Sequence, residues 1–525
     1  MRGFWRTRAG QARRATMLHG APGGRPSTAL HVMGLALIFV AAGMVICTLI
    51  ELASTNQDSG ALALGALISG GVGGLLWWRT RVGSTRTRDV FAAVGWTWAA
   101  MTLFGAVPYV LAGTFATSGV DLVEQLVNSI FESASGYSST GSTVMEDFER
   151  PGRGLMMYRQ LSQWYGGMGI VVLAVTVLPY LGVGGLDLIA AEAPGPSSDR
   201  LAPRVSETAR QLWSIYALST VGVAVALFVV PGPGLYDSVA HGLTTAATGG
   251  FSPYANSIGH FDSLVVELVI IAGMLFGAVN FALHWRAAHG DLGAYGRDWE
   301  LRTFVSLIAG AAAVVVAVLW LSEPLGGGEA LRAGVFNVIS LGTSTGFGNA
   351  TGAGTAGDFA AWAPAAQMVI LLLFVVGASA GSTSGGIKVM RVRVLAGHMM
   401  RSMKHTQQPR AVFAVKHGGV AVSEDLVSRV AGFFLFYVLL ICFGAVALTM
   451  LGGDLTTSIG TIISVLGNMG PALGEAGPTS SYAEAFSQPA RLLLAAFMLI
   501  GRLEIFPVLL MFAAPYRAVR VALQT

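Results

Sequence analysis

SSTGST at 138–143, AATGGF at 246–251, TSTGFG at 343–348 and GNMGPA at 467–472 repeat one theme at intervals of roughly 100 residues. Each centres on a glycine: Gly141, Gly249, Gly346 and Gly470. Each also follows a short amphipathic stretch, read as Val123–Ser135, Ser238–Thr245, Phe336–Leu341 and Leu455–Val465, and precedes a long apolar run. Such stretches are too short to cross a bilayer and suit half-helices that enter and return. Irregular backbone at membrane depth is tolerated only where it is buried in protein or lines water, so the four segments are expected to converge on one axis. A lone STG in a membrane loop is usually only a turn. Four in register, each between a short helix and a full span, point to a pore.

A permeating cation must exchange its hydration shell for oxygens at nearly equal free energy, and rings of backbone carbonyls supply them. Glycine populates positive φ freely and keeps side-chain atoms out of the lumen. The expected filter is therefore Ser139, Thr140 and Gly141; Ala247, Thr248 and Gly249; Ser344, Thr345 and Gly346; and Asn468, Met469 and Gly470. Hydroxyls of Ser139, Thr140, Thr248, Ser344 and Thr345 can add oxygens or brace the loops.

Composition agrees with a membrane setting. The 525 residues are 53% hydrophobic and only 11% charged, and the mean hydropathy is +0.63, too apolar for a soluble chain. Long spans are expected near 29–50, 61–78, 89–113, 155–190, 208–231, 262–285, 303–321, 362–398, 426–451 and 488–515. The first follows Arg2, Arg6, Arg8, Arg13, Arg14 and Arg25 but shows no small-residue cleavage site, so it is read as a retained helix rather than a signal peptide. Basic loops alternate along the chain: Arg79 to Arg88, Arg200 to Arg210, Arg286 to Arg302 and Lys388 to Arg410 fall on one side if both termini are cytoplasmic. The opposite loops carry Glu146, Asp147, Glu149, Asp237, Asp358 and Glu475, a mild negative potential that would attract cations and disfavour anions. Cys47 and Cys442 lie within apolar spans and receive neither a disulfide nor a metal role.

With these four filter-like segments, the sequence resembles the Trk/Ktr/HKT superfamily of potassium uptake transmembrane subunits. Further motifs carry the resemblance: QWYGGMGI at 163–170, EAPGP from 192 followed by PRVSETA, NFALHW at 280–285, GASAGSTSGGIKVMR at 377–391 and GRLEIFP at 501–507. Departures from the commoner pattern are Ser138, Ser139, Gly342 and Met469. The resemblance covers nearly the whole chain and implies an all-α membrane protein, with four pseudo-symmetric helix–pore-loop–helix repeats around one pore. Two extra N-terminal helices are those of the bacterial Trk form. The implied layout is a basic cytoplasmic N-terminus at 1–28, the extra helices at 29–80, and repeats at 86–195, 205–290, 299–405 and 422–525. Glycine in all four filters resembles the potassium-selective members, so potassium ion is the implied cargo and no organic cofactor is implied in this chain. The location implied is the bacterial plasma (inner) membrane, multi-pass.

A glycine-rich tract, 377–386, interrupts the eighth span. From pattern alone it is equally a kink; by resemblance it is an intramembrane gate beneath the filter, with Gly377, Ser379, Gly381, Ser382, Thr383, Gly385 and Gly386 as its working residues. Arg502 is a cation inside an apolar helix, which is costly unless it faces a partner or water. It is read as repelling cations below the filter and holding the loop shut; Glu504, two residues on, points elsewhere on the helix. Lys388 either pairs with acidic groups or serves as a cytoplasmic anchor, with the anchor preferred. Glu132 either draws cations or braces the filter, with bracing preferred.

His241, His284 and Asp187 show no HExxH spacing or paired aspartate and are read as structural, so the chain is not read as an enzyme. No P-loop or dinucleotide fingerprint is present, and no nucleic-acid role is expected. By resemblance, regulation falls to a separate cytoplasmic NAD- or ATP/ADP-binding ring, for which 391–416 is a docking surface. Small-residue helix faces and the family's habit suggest a homodimer in membrane lipid. The competing reading is a sodium- or proton-coupled secondary transporter, which inverted repeats would favour; here all four repeats enter from the acidic side.

Overall fold

The computed structural model describes residues 25–54, 56–82, 87–116, 120–176, 201–417 and 420–504. The N-terminal arginines through Arg14, Asp187, the EAPGP motif and the last span beyond Glu504 lie outside the described residues. The described residues fall into two compact units, one within 25–113 with Gly152–Leu155 and the other within 114–151 and 156–504.

Among the described residues six helices are long and apolar enough to cross a membrane: Thr28–Ala53, Ser59–Arg79, Ala93–Leu111, Glu207–Val229, Trp299–Ser322 and Glu424–Met450. The described strands are two-residue pairs, Arg25–Pro26 with Thr80–Arg81 and Lys416–His417 with Val420–Ala421. The molecule is an all-α, multi-pass membrane protein, because in lipid only helices satisfy their own backbone groups segment by segment.

In the first unit, helices Thr28–Ala53 and Ser59–Arg79 run against one another through small residues. A Cβ on Gly34 would meet the Gly73 carbonyl oxygen at 2.8 Å, and one on Gly73 would meet that of Gly34 at 2.8 Å. This close approach maximises dispersion where lipid offers no hydrophobic drive. Glu51, fully buried, accepts the amides of Gln57 at 3.0 Å and Gly154, and Asp58 accepts that of Gly152 at 2.7 Å.

The second unit contains four short helices: Leu122–Tyr137, Leu235–Ala246, Gly327–Gly342 and Leu455–Leu466. Each starts at an acidic or glycine cap and carries its small and polar residues inward. Asp121 accepts from Glu124 N, and Asp454 accepts from Thr456 N and Thr457 N. The third starts at Gly327, well before the expected Phe336, with Glu329 in its first turn facing the positive end of the helix dipole.

Two long spans read from hydropathy are not continuous. The stretch 262–285 breaks between Leu264–Ala278 and Phe281–Ala288 with a 101° bend. Asn280 caps the second piece, its side chain accepting from Ala282 N at 2.9 Å. The stretch 362–398 divides into Pro364–Val375 and Val389–Gln407 around the glycine-rich tract.

Candidate functional site

Each short helix ends on a right-handed residue, Ser138, Ala247, Thr343 or Gly467. The next residue flips to the left-handed region: Ser139 (φ 52°), Thr248 (48°), Ser344 (56°) and Asn468 (54°). Two positions on, a glycine is again left-handed: Gly141 (93°), Gly250 (80°), Gly346 (81°) and Gly470 (80°). Non-glycine residues in this region cost about 1–3 kcal/mol each and persist only where the surroundings hold them. The holding bonds repeat fourfold: Thr140 N to Ser135 O (2.9 Å), Gly249 N to Thr244 O (2.9 Å), Thr345 N to Ser340 O (2.8 Å) and Met469 N to Ser464 O (3.0 Å).

This pattern corrects the expected register of the second segment by one residue. Gly250, not Gly249, corresponds to Gly141, and the trio is Thr248, Gly249 and Gly250. Ala247, expected in the filter, is instead the helix cap. Adjacent glycines made both alignments possible in the sequence; the helix end decides between them.

The four loops close on one another in chain order. A Cβ on Gly141 would strike the carbonyl oxygen of Gly249, on Gly250 that of Thr345, on Gly346 that of Met469, and on Gly470 that of Thr140, the last at 2.9 Å. Glycine is thus required twice over, by φ and by the neighbouring oxygen. Gly141, Gly250, Gly346 and Gly470 all line a cavity of about 60 Å³, with Arg159 and Tyr482 at its wall.

Surrounding side chains fix this ring. Gln163 donates to Gly249 O (2.6 Å) and accepts from Phe251 N (3.0 Å). Ser142 and Tyr482 both donate to Gly470 O, at 2.8 and 2.7 Å. Ser340 and Ser464, equivalent in their loops, donate to Phe347 O and Pro471 O, each at 2.7 Å. Asn468 donates to the Thr140 hydroxyl at 2.9 Å, tying the fourth loop to the first.

Glu132 takes the bracing position: its carboxylate accepts from Val144 N (3.0 Å), the Thr143 hydroxyl (2.9 Å) and Arg159 Nε (2.6 Å). Arg159 in turn donates to Ser252 O at 2.9 Å and lies over the Phe251 ring at 3.5 Å. The pair joins the first and second loops, and both partners are buried. Arg159 escaped the sequence reading because it lies in a helix read only as a span. Arg159→Met strands a buried carboxylate, a loss of about 3–5 kcal/mol when one partner of a buried pair is removed. Its thermal unfolding midpoint should fall clearly, while the double variant Arg159→Met/Glu132→Gln should recover most of the drop.

The tract 377–386 packs against the left-handed residues. Gly385 N donates to the Ser344 hydroxyl (2.6 Å), and the Thr248 hydroxyl meets that of Thr383 at 3.1 Å. A Cβ on Gly385 would meet that of Asn468 at 2.9 Å. Thr383 also donates to the carbonyls of Ala246 and Gly277, each at 3.1 Å. Gly377 N reaches Ile387 O at 2.9 Å, Ser382 caps Ser379 O at 2.6 Å, and Gly381 O accepts from Phe281 N at 3.1 Å. Gly386 turns with φ 68°.

Arg502, 2% exposed, donates to Thr383 O (2.9 Å), Gly166 O (3.1 Å) and the Ser139 hydroxyl (3.3 Å). Its guanidinium therefore spans the tract and the first of the four glycine-bearing loops. Glu504 pairs with Arg391 instead. Lys388 is not a solvated anchor: it is buried and donates to Ser384 O within the tract. His241 spends its nitrogens on Asp237 O (2.8 Å) and the Ser252 hydroxyl (3.0 Å), and His284 on Phe276 O (2.9 Å) and Tyr295 (2.7 Å), as structural groups do.

The TrkH family, described as cation transport protein, matches residues 60–518. The chain belongs to the TrkH family. It is 38% identical over 493 residues to the Trk system potassium uptake protein TrkH of Halomonas elongata, covering 93% of this chain and 98% of the relative. Against the Escherichia coli K12 TrkH the figures are 33% over 491 residues, 93% and 98%. The crystal structure of the potassium transporter TrkH from Vibrio parahaemolyticus superposes with a TM-score of 0.81 at 30% identity, covering 92% of this chain and 97% of that one. TrkH membership makes the chain a transport protein rather than an enzyme, on the same all-α membrane fold.

Proposed function

We propose that the chain takes up potassium across the bacterial plasma (inner) membrane, through a filter formed by its four glycine-bearing loops. The observation that carries this reading is the cyclic contact of Gly141, Gly250, Gly346 and Gly470 with the carbonyl oxygens of Gly249, Thr345, Met469 and Thr140. A ring of main-chain oxygens of this kind replaces a cation's hydration shell. The names of the Halomonas and Escherichia relatives, potassium uptake proteins, support potassium as the cargo.

The tract 377–386 serves as the gate, with Arg502 as its cationic clasp. Basic residues Arg286, Arg297, Arg302, Arg393 and Arg401 follow the same side as this tract along the chain, which supports a cytoplasmic gate and cytoplasmic termini. A homodimer regulated by a separate nucleotide-binding ring that docks on 391–416 completes the proposal. Purified protein in liposomes should pass rubidium at least about tenfold faster than sodium, a difference of about 1.4 kcal/mol in the barrier. Equal rubidium and sodium flux would contradict the potassium filter.

A further inference from the structure

The geometry points to Glu300 as a positioning residue that holds the tract 377–386 in place by its shoulders; this rests on the reading of that tract as the gate. Within the tract the hydrogen bonds close short turns only, Ala378 N to the Ser384 hydroxyl at 2.9 Å and the Ser382 hydroxyl to Ser379 O at 2.6 Å. Its one ladder contact joins Val376 and Ile387, through Gly377 N to Ile387 O (2.9 Å) and Ile387 N to Val375 O (3.0 Å). With glycine at 377, 381, 385 and 386, it has no intrinsic preference for a single shape. Its position is set by what grips it.

Arg502 grips the tip, at Thr383 O. Glu300 grips both sides of that tip: one oxygen, Oε1, accepts the amides of Ala380 at 3.0 Å and Met390 at 3.1 Å. Glu300 lies in the first turn of Trp299–Ser322, yet Asp298 does the capping there, accepting from Leu301 N at 2.7 Å. Its buried carboxylate is thereby left for the tract. Arg393 lies over the Trp299 ring at 4.5 Å and donates to the Thr303 hydroxyl at 3.0 Å, so the helix leaving the tract is moored to the same turn. Glu300 is the base against which the loop closes; freeing it shifts the balance of closed and open loops toward open.

Rubidium uptake into liposomes at equal amounts of monodisperse protein tests this. Glu300→Ala, which leaves both amides without their acceptor, should raise flux on the order of tenfold. Glu300→Gln keeps an oxygen at the same reach and should stay near the parent. If Glu300→Ala does not yield monodisperse protein, Glu300→Asp, too short to reach both amides, should give an intermediate rise. Parent-level flux from whichever of these two is measured, beside raised flux from Arg502→Ala, would overturn the role of Glu300 and leave the gate reading standing. Parent-level flux from all of them, Arg502→Ala included, would overturn both. Flux raised equally by Glu300→Gln and Glu300→Ala would also overturn the proposal, since the acceptor geometry would then not matter.

Discussion

Gly141→Ser is expected to cut rubidium flux by about tenfold or more and to erase discrimination against sodium, at unchanged protein yield. Two costs coincide there. Gly141 has φ of 93°, outside the usual range of an L-residue, and its Cβ would strike the Gly249 carbonyl oxygen of the next loop. The backbone must retreat, and with it the oxygens proposed to replace water around the ion. Because the ring is cyclic, Gly250→Ala should behave alike, through the Thr345 oxygen. Gly249→Ala is the informative neighbour: its Cβ would meet the Gln163 side chain, which can shift at the cost of its bonds to Gly249 O and Phe251 N, rather than main chain. Flux measured for the pair should fall further for Gly250→Ala than for Gly249→Ala; the reverse order would restore the register that places Gly249 opposite Gly141.

Arg502→Ala is expected to raise rubidium flux on the order of tenfold, because it removes a charge and a latch together. Even 8 Å from the ion path, a unit charge costs a passing cation about 2 kcal/mol at an effective dielectric near 20. The bond to Thr383 O and the contact with the Ser139 hydroxyl vanish as well. Arg502→Lys separates these effects, since it keeps charge but cannot fork between the tract and the filter loop. It should fall between the parent and Arg502→Ala. Unchanged flux in Arg502→Ala would remove Arg502 from the gate.

Much of this site was legible in the sequence because its determinants are local. Three of the four left-handed glycines, the glycine-rich tract and Arg502 are anomalies in otherwise apolar sequence, and anomalies in a membrane are expensive. In the second loop the sequence permits two registers, because Gly249 and Gly250 are both able to turn; only the helix ending at Ala246 distinguishes them. The bend at Asn280 was hidden for a different reason. Hydropathy averages over a window, and one capping asparagine between Leu264–Ala278 and Phe281–Ala288 hardly alters the average. Arg159, Gln163 and Glu300 act through partners roughly 27 to 90 positions away, such as Glu132, Gly249 and Ala380, and no periodicity encodes such pairings. A lysine after a glycine tract at a span's end reads as a solvated anchor, but here the tract folds back and buries Lys388.

Thallium or rubidium soaked into crystals of the protein gives an anomalous signal that locates the ion directly. Peaks are expected on the axis enclosed by the carbonyl oxygens of Thr140, Gly249, Thr345 and Met469. Peaks elsewhere in the protein, with none inside that ring at a concentration that supports flux, would contradict the proposed filter.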